Sequence, residues 1–380
     1  MRRLLSLSIV VSVAVAAIAT IVSVRPGSAE SQLPVRAHIP VIACDSCQPP
    51  PTPTPPSVVA FSDGTYFIGE DIPAGTYRLR SAPSGCYWER LSGLSGGLGD
   101  IIANSFGSTT QIVTIAPGDV AFHTDDCGTW TSDLSPVTAS PTTPFGDGMY
   151  FVTEDVAAGT WYAPGGSSCY WARLSGFSGK LADIITNDFG NTSVVVEISA
   201  SDAGFESSRC GTWSRNPAPA PGGTFGDGTY LVGAQVTPGT YRTRTPADGC
   251  YWERLSGLSG ELGHIIANSF SDYVQVVTIA PGDVAFHTDG CGTWTTDLSS
   301  ITAGTTSPFG DGIFIVGTDI AAGTWHAPGG GSCYWARLSG FSAELDDITD
   351  NDFGETSPSV AISGSDKGFQ SSNCGTWVKS

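Results

Sequence analysis

The sequence is poor in basic residues, methionine and histidine. It has 17 Lys and Arg against 36 Asp and Glu, with two methionines and five histidines among 380 residues. The net charge of −19 argues against nucleic acid or an anionic lipid surface as a partner, because both are polyanions that bind cationic protein faces. Only 14% of the residues are charged while 48 are glycine, and this composition favours short strands and tight turns over helices.

Motifs of the common enzyme and metal-site classes are also missing. The chain has no HExxH motif, no P-loop, no paired histidine cluster and no DxDxDG calcium loop. The carboxylate of Glu89 is replaced by Ala172 in the next copy of the repeat described below. A carboxylate pair for hydrolysis would therefore have to be assembled between unlike repeats. We expect no enzyme activity, no metal and no cofactor.

Residues 1–29 have the layout of a secretory signal. Arg2 and Arg3 precede an apolar run from Leu4 to Val24, and small residues follow around Ala29. The run also approaches the ~20 residues that span a bilayer, so an uncleaved N-terminal anchor is the alternative and would be the only membrane contact. Both interpretations predict an exported protein, either secreted or held at the cell surface.

Residues 30–59 form a Pro-rich linker. The stretch QPPPTPTPPS at 48–57 cannot pack and predicts a semi-rigid polyproline II spacer. Cys44 and Cys47 lie just before it, and a single CxxC pair lacks the four ligands of a structural zinc site. In an oxidising compartment we expect these two cysteines to form a local or inter-chain disulfide.

Four copies of one unit fill the remainder of the chain. Each copy contains a CYW-x-RLSG motif and ends in Cys-Gly-Thr-Trp, and its two cysteines are 41 positions apart. This equal spacing predicts one disulfide inside each unit: Cys86–Cys127, Cys169–Cys210, Cys250–Cys291 and Cys333–Cys374.

The units are predicted to be four tandem all-β domains, each a small antiparallel β-sandwich or barrel. Strand candidates in the first unit recur with turn signals every few residues, at 65–68, 77–80, 86–91, 111–115, 120–123 and 128–131. Residues 98–103 are a candidate helical turn. The predicted domains span 60–135, 144–215, 224–299 and 308–380, with Pro-rich segments separating them.

Two kinds of unit alternate along the chain. Units one and three share LSGLSG and IIANSF, whereas units two and four share WARLSGFS. The order is therefore ABAB, where A denotes units one and three and B denotes units two and four. This order suggests that an A and a B unit pack together as a two-domain pair.

One arginine recurs at the end of each CYW-x-R strand. Alternation places Cys86, Trp88 and Arg90 on the same face of the strand, so the arginine lies at the edge of the core and needs a partner. An aspartate eight residues before each final cysteine is the candidate. A structural ion pair is expected, with ligand contact as the alternative, for Arg90, Arg173, Arg254 and Arg337 with Asp119, Asp202, Asp283 and Asp366.

Two further positions recur in all four units. An aromatic residue follows each Gly-Thr turn, and these are candidate binding residues, with a place in the core as the alternative: Tyr77, Trp161, Tyr241 and Trp325. An asparagine also lies two residues before a phenylalanine in each unit. Turn chemistry is the expected role and ligand contact the alternative for Asn104, Asn187, Asn268 and Asn351.

The combination GTYR…CYW-x-RLSG…CGTW resembles a repeat domain of unknown function found in secreted proteins and lipoproteins of bacteria. The resemblance spans about Phe61 to Trp377 and implies export and modularity, without an activity. Unit three departs from the pattern, with Gln235 where the other units have Asp71, Asp155 and Asp319.

The sequence leads to three hypotheses of function. The first is a non-catalytic, exported or cell-surface repeat protein that binds carbohydrate, cell wall or another protein through its β-domains, so that its partners would be a cell-wall glycan or a surface protein. The second is a structural surface spacer or coat component. The third, from a different class, is a hydrolase with a site between A and B repeats.

Overall fold

The structure is a computed structural model that describes residues 57–218 and 222–380. Predictions for the signal segment, the Pro-rich linker and the Cys44–Cys47 pair lie outside these residues. The described residues form four repeats, each built from two antiparallel sheets and containing one disulfide. The all-β fold is therefore confirmed. No helix in the described part is long and apolar enough to span a membrane.

Repeat 1 shows the architecture. Its two sheets have the strand orders β1-β8-β3-β6 and β2-β7-β4-β5, and a single 3₁₀ turn at Leu98–Asp100 leads into β5. The strands are β1 (Ala60–Phe61), β2 (Gly64–Phe67), β3 (Gly75–Leu79), β4 (Cys86–Leu91), β5 (Ile101–Gly107), β6 (Ile112–Ile115), β7 (Ala121–Asp125) and β8 (Trp130–Thr131).

The other repeats follow the same plan with small losses at the sheet edges. Repeat 2 contains β9 (Gly148–Phe151), β10 (Gly159–Ala163), β11 (Cys169–Leu174), β12 (Ile184–Gly190), β13 (Val194–Ile198) and β14 (Gly204–Ser208). Repeat 3 contains β15 (Thr224–Phe225), β16 (Gly228–Leu231), β17 (Gly239–Thr243), β18 (Cys250–Leu255), β19 (Ile265–Ser271), β20 (Val276–Ile279), β21 (Ala285–Asp289) and β22 (Trp294–Thr295). Repeat 4 contains β23 (Gly312–Ile315), β24 (Gly323–His326), β25 (Tyr334–Leu338), β26 (Ile348–Phe353), β27 (Ser359–Ile362), β28 (Gly368–Ser372) and β29 (Val378–Lys379). Their 3₁₀ turns lie at Leu181–Asp183, Leu262–His264 and Leu345–Asp347.

A separate core lies between the two sheets of each repeat. In repeat 1 it contains Trp88, Phe122 and Trp130 packed around the Cys86–Cys127 disulfide. The four disulfides are those that the equal cysteine spacing predicts. A repeat of this size buries little apolar surface, so closing a loop of about 40 residues contributes roughly 4 kcal/mol to its stability in the chain-entropy model.

Strand β5 is the main difference from the expected strand list. The helical turn expected at 98–103 is shorter, and residues from Ile101 onward pair with β4 along its length. The segment contains Asn104, Ser105 and Gly107, which also favour turns, and most of its residues are only partly buried. Alternation of apolar and polar residues is therefore weak in β5, although the strand itself is regular.

Successive repeats pack directly on one another, although the Pro-rich segments were expected to separate them. We call each contact between successive repeats a joint. In the first joint Ile112 of repeat 1 packs against Met149, Leu174 and Phe177 of repeat 2. Equivalent apolar clusters form the second and third joints. The described residues accordingly form one compact unit.

A buried ion pair distinguishes the two A-to-B joints. Arg78 Nη2 lies 3.0 Å from Asp155 Oδ2, and Arg242 Nη2 lies 3.0 Å from Asp319 Oδ2; all four side chains are fully buried. At the B-to-A joint the corresponding residues are Tyr162 and Gln235, so neither carries a charge. The joints therefore differ in the same alternating order as the repeats, because only the A-to-B joints contain a buried Arg–Asp pair.

Repeat 3 has Gln235 in place of an aspartate because the residue facing it is Tyr162 and not an arginine. Its Oε1 accepts a hydrogen bond from Leu231 N at 2.9 Å, as Asp155 Oδ2 does from Phe151 N. Its Nε2 donates to Ala218 O at 3.0 Å. A neutral amide thus keeps the turn contact of the aspartate where no arginine faces it, and avoids burying an unpaired carboxylate.

Replacing Asp155 by alanine tests the A-to-B ion pair. We expect the free energy of unfolding to fall by about 3–5 kcal/mol, because the change leaves the fully buried Arg78 without a counter-charge. Asp71→Ala is the matched control, since Asp71 makes the same contact to Phe67 N but is exposed, and should cost about 1 kcal/mol or less. Urea denaturation of the whole chain measures both; equal losses would contradict the assignment.

Candidate functional site

The recurring arginine forms a two-point ion pair with the predicted aspartate of its own repeat. Arg90 donates from Nε to Asp119 Oδ2 at 2.6 Å and from Nη2 to Oδ1 at 2.9 Å. The same paired contacts join Arg173 to Asp202, Arg254 to Asp283 and Arg337 to Asp366. Each aspartate also accepts a hydrogen bond from a turn N–H, as Asp119 does from Ala116 N.

The same arginine makes a third contact, across the joint, that the sequence does not indicate. Arg90 Nη1 donates to Ser178 O of repeat 2 at 2.7 Å. Arg173 and Arg254 donate in the same way to Ser259 O at 2.9 Å and Ser342 O at 2.7 Å. Since the acceptor is a backbone carbonyl in the next repeat, no pairing of residue types along the sequence indicates it.

Arg337 of repeat 4 lacks an equivalent joint within the described chain. Its side chain is 24% exposed, against 3% for Arg90, and its Nη1 lies 3.7 Å from Asp350 of its own repeat. Hydrogen bonding to Asp366 still raises the pKa of Arg337. Each repeat therefore holds this arginine against its own aspartate, and repeats 1 to 3 also use it to hold the following repeat.

The aromatic residues proposed as binding candidates are core residues, and that interpretation is wrong. Their side chains are at most 2% exposed: Tyr77, Trp161, Tyr241 and Trp325. Tyr77 OH donates to Pro73 O at 2.6 Å and Trp161 Nε1 to Ala157 O at 2.8 Å, so the polar atoms are satisfied inside the repeat. The strand after each Gly-Thr turn directs this aromatic between the sheets, where it cannot touch a ligand.

A different set of aromatic residues lies on the outward face. A phenylalanine on β5 stands opposite the tyrosine of the CYW motif on β4, as Phe106 does to Tyr87. The equivalent pairs are Phe189 with Tyr170, Phe270 with Tyr251 and Phe353 with Tyr334. These four phenylalanines are 66–76% exposed. An exposed aromatic repeated at one position in four domains is the strongest sign of an interaction surface in the described chain.

The recurring asparagine belongs to this face. Asn104 points to the same side of β5 as Phe106, and Asn268 Nδ2 donates to Tyr251 OH at 3.4 Å. In the A repeats the tyrosine also donates to a glutamate, with Tyr87 OH 2.7 Å from Glu89 Oε2. Partial burial is the main cause that raises the pKa of each tyrosine of the set, Tyr87, Tyr170, Tyr251 and Tyr334. The phenols therefore remain hydrogen-bond donors well above neutral pH.

The 3₁₀ turns add an exposed leucine to each repeat. The leucine that opens the turn is 83–86% exposed in all four copies: Leu98, Leu181, Leu262 and Leu345. Exposed leucines occur singly on most protein surfaces, but four at one structural position indicate a shared use. They were not singled out in the sequence, because their place in an LSG-x-S-rich loop does not show whether they are buried.

A groove of about 240 Å³ lies at the second joint, between repeats 2 and 3. It is lined by Asn187 of repeat 2 and by Tyr251, Glu253, Leu262 and His287 of repeat 3. His287 Nδ1 is 2.9 Å from a threonine hydroxyl, and Glu253 accepts from Tyr251. Within residues 57–218 and 222–380, no hydrogen bond joins His287 to a carboxylate and no group of three His, Cys, Asp or Glu side chains could hold a metal ion.

Comparison with known proteins identifies the same four repeats. The family model of the Rv1352-like extracellular domain matches residues 59–131, 142–214, 223–295 and 306–378. Similar proteins include the uncharacterized protein Rv1352 of Mycobacterium tuberculosis and the uncharacterized protein Mb1387 of Mycobacterium bovis. Each is 32% identical over 82 residues, which cover 18% of this chain and 67% of the relative. No solved structure gives a match.

Comparing Arg90→Met with Arg337→Met measures the contact across the joint. Both changes leave a buried aspartate without its arginine, but only Arg90 also holds the next repeat. We expect Arg90→Met to cost about 3–5 kcal/mol of unfolding free energy. Arg337→Met should cost less by roughly 1.5–3 kcal/mol, the usual contribution of a hydrogen bond from a charged group. Equal losses in urea denaturation would show that the Nη1 contact adds nothing to the joint.

Proposed function

The chain belongs to the family of Rv1352-like extracellular domains, and from this premise we propose that it is an exported, non-catalytic protein that binds an extended, uncharged glycan. The proposed site is the outward Tyr–Phe pair with its neighbouring asparagine, present once in each repeat. The observation that carries the proposal is the exposure of the same phenylalanine in all four repeats, at 66–76%.

The chemistry of the site supports a sugar ligand. The exposed face of Phe106 offers an apolar surface, and the neighbouring Tyr87 hydroxyl and Asn104 amide offer hydrogen-bonding groups at its border. A sugar ring presents the complementary combination, with C–H groups on its face and hydroxyls around its rim. Sites that take small polar rings commonly pair an apolar surface with a few fixed polar groups.

The charge of the chain restricts the choice of glycan. Every repeat contributes to a net charge of −19, and like charge on both partners disfavours association. Acidic polysaccharides and nucleic acids are therefore poor ligands, whereas an uncharged polysaccharide meets no such penalty. Extracellular placement of the family brings the domains to where such polymers occur.

Repetition supports an extended target. One Phe–Tyr–Asn set buries too little area for tight binding, so each repeat is expected to bind weakly. The joints hold the four sets on one compact unit, so binding of one set raises the effective concentration of the others near the same polymer. A polymer with a regular chemical repeat can use several sets together, which a small soluble sugar cannot.

A structural spacer is the second candidate function, and the joints favour it. Buried apolar clusters, the arginine–carbonyl contacts and two fully buried Arg–Asp pairs connect successive repeats. Repeats joined in this way extend an array without free movement at the Pro-rich segments. This function needs no ligand, and binding measurements separate it from the first proposal.

Substituting the exposed phenylalanines tests the glycan-binding proposal. One Phe→Ala change should weaken binding to an immobilised uncharged polysaccharide a few-fold, and changing Phe106, Phe189, Phe270 and Phe353 together should weaken it at least roughly tenfold. The melting temperature should stay close to that of the parent because these side chains are mostly exposed. A glycan array identifies the polysaccharide, and biolayer interferometry gives the affinities.

Val378→Ala is the matched control, since Val378 is 51% exposed but lies on a different sheet, β27–β24–β29. It should leave binding unchanged. Equal affinity of the parent and the fourfold variant would overturn the assignment of the site. Absence of binding to every uncharged polysaccharide, together with an unaltered fold, would favour the spacer.

A further inference from the structure

Each joint is built from the same two surfaces. The tail of a repeat is its edge strand, β6, β13 or β20, together with the CYW-x-R arginine that donates to a carbonyl of the next repeat. The head of the next repeat is the outward face of its CYW sheet and the loop that follows RLSG. Two backbone bonds recur, and at the first joint Thr114 N donates to Phe177 O at 2.7 Å and Met149 N to Thr110 O at 3.0 Å. The other two joints repeat both bonds.

An apolar side chain of the tail is buried at every joint. Ile112, Val195 and Val276 occupy the same position of the edge strand, and each is at most 8% exposed. They pack against head residues such as Phe177 and Leu258. The head loop also provides a slot for a tail tryptophan, since a Cβ at Gly260 would lie 2.5 Å from Trp171 of the preceding repeat.

The tail of repeat 4 departs from this pattern. The position of Ile112 is taken by Ser359, which is exposed and begins the edge strand β27, and the position of Arg78 is taken by His326. Proteins place polar side chains on free sheet edges to prevent pairing, and stacked repeats have polar outer faces at their terminal units. Repeat 4 is thus capped against a further repeat of the same kind.

The head of repeat 1 has residues equivalent to those with which the heads of repeats 2 to 4 form joints. Leu94 corresponds to Leu258 of repeat 3 but is 54% exposed where Leu258 is 8% exposed, and Phe67, the counterpart of Phe151, is 43% exposed. The groups that bond across the other joints have counterparts in Thr65 N, Leu94 O and Ser95 O. A Cβ at Gly96 would meet no atom within 4 Å, so the slot that holds a tryptophan at the second joint is open.

We propose that the head of repeat 1 is a docking surface for another polypeptide, namely the tail of an A-type Rv1352-like repeat. Continuity with the three joints of this chain supports the proposal, because they show how such a tail sits on such a head. An A-type tail provides an apolar edge residue, an arginine for Ser95 O and a second arginine equivalent to Arg78.

Asp71 favours an A-type tail over a B-type tail. It corresponds to Asp155 and Asp319, which each receive the second arginine of an A repeat, and it is exposed. A head that follows a B repeat has the neutral Gln235 at this position. An arginine of the partner opposite Asp71 would therefore reproduce the charge pairing of the A-to-B joints.

The tail of repeat 4 can be converted into the proposed partner. Ser359→Ile restores the apolar residue and His326→Arg restores the second arginine; both positions are exposed, so the fold should tolerate the changes. A third change, Leu94→Glu, blocks the head of the same chain. This triple variant is mixed with the parent chain, and complexes are measured by sedimentation velocity in the absence of any glycan.

The expected result is a 1:1 complex in the mixture, with each protein monomeric on its own. A parent chain carrying Leu94→Glu should fail to bind the triple variant, with at least a tenfold loss of affinity. The proposal is overturned if the mixture stays monomeric, or if Leu94→Glu in the parent leaves the complex intact.

Four intact disulfides and an unchanged circular dichroism spectrum establish that the variants fold. If His326→Arg disturbs folding, the variant with only Ser359→Ile and Leu94→Glu replaces the triple variant, and the same outcomes apply. Because no glycan is present, failure here is independent of the proposed glycan binding.

Discussion

The guanidinium of the CYW-x-R strand is the group on which both the repeats and the joints between them depend. It satisfies a buried aspartate of its own repeat through two parallel hydrogen bonds and uses its remaining nitrogen for a carbonyl of the next repeat. Only arginine has enough donors in a fixed planar arrangement for all three contacts. Lysine could not bridge the two repeats in this geometry. The folding of one repeat and the docking of the next are therefore coupled through a single side chain.

This coupling has energetic consequences for an array of small domains. A repeat of this size is marginally stable alone, and the disulfide and the arginine–aspartate pair stabilise it internally. Stacked repeats gain further stability from their interfaces with neighbours. In this chain the interface contribution is unequal, since the A-to-B joints bury an additional Arg–Asp pair and the B-to-A joint does not. The central joint between repeats 2 and 3 is thus the place where the array is expected to open first.

Much of a single repeat follows from the sequence, because its constraints act within the repeat. The spacing of Cys86 and Cys127 indicates the disulfide, and the alternation of Cys86, Trp88 and Arg90 indicates which face meets the core. The choice of aspartate follows from its constant distance to the last cysteine. These inferences need only strand periodicity and the expectation that a buried charge finds a partner.

Contacts between repeats and the exposure of aromatic residues cannot be derived from the sequence in the same way. Tyr77 and Phe106 are both aromatic residues on strands, but the first is buried and the second exposed, because the pairing of each strand decides its inward face. The joints form through backbone carbonyls and loop glycines, so no sequence motif identifies them. One signal was present in the sequence: Gln235 replaces an aspartate in the one repeat that follows a tyrosine instead of an arginine. Its meaning becomes clear only when Arg78 and Asp155 are seen together.

The two faces of β4 meet different surroundings. Its inward residues, Cys86, Trp88 and Arg90, build the disulfide, the core and the joint, whereas the outward Tyr87 stands beside the exposed Phe106. In the later repeats this outward face packs against the preceding repeat, with Ala172 fully buried beside Ile112. Only the exposed phenylalanine beside it can therefore change without loosening the array. The difference between Glu89 and Ala172 reflects this packing, because Glu89 lies on the free head of repeat 1 and Ala172 lies inside the first joint, while the inward residues stay the same. A repeat built in this way can diverge in what it binds while retaining the arginine contacts that fix its neighbours.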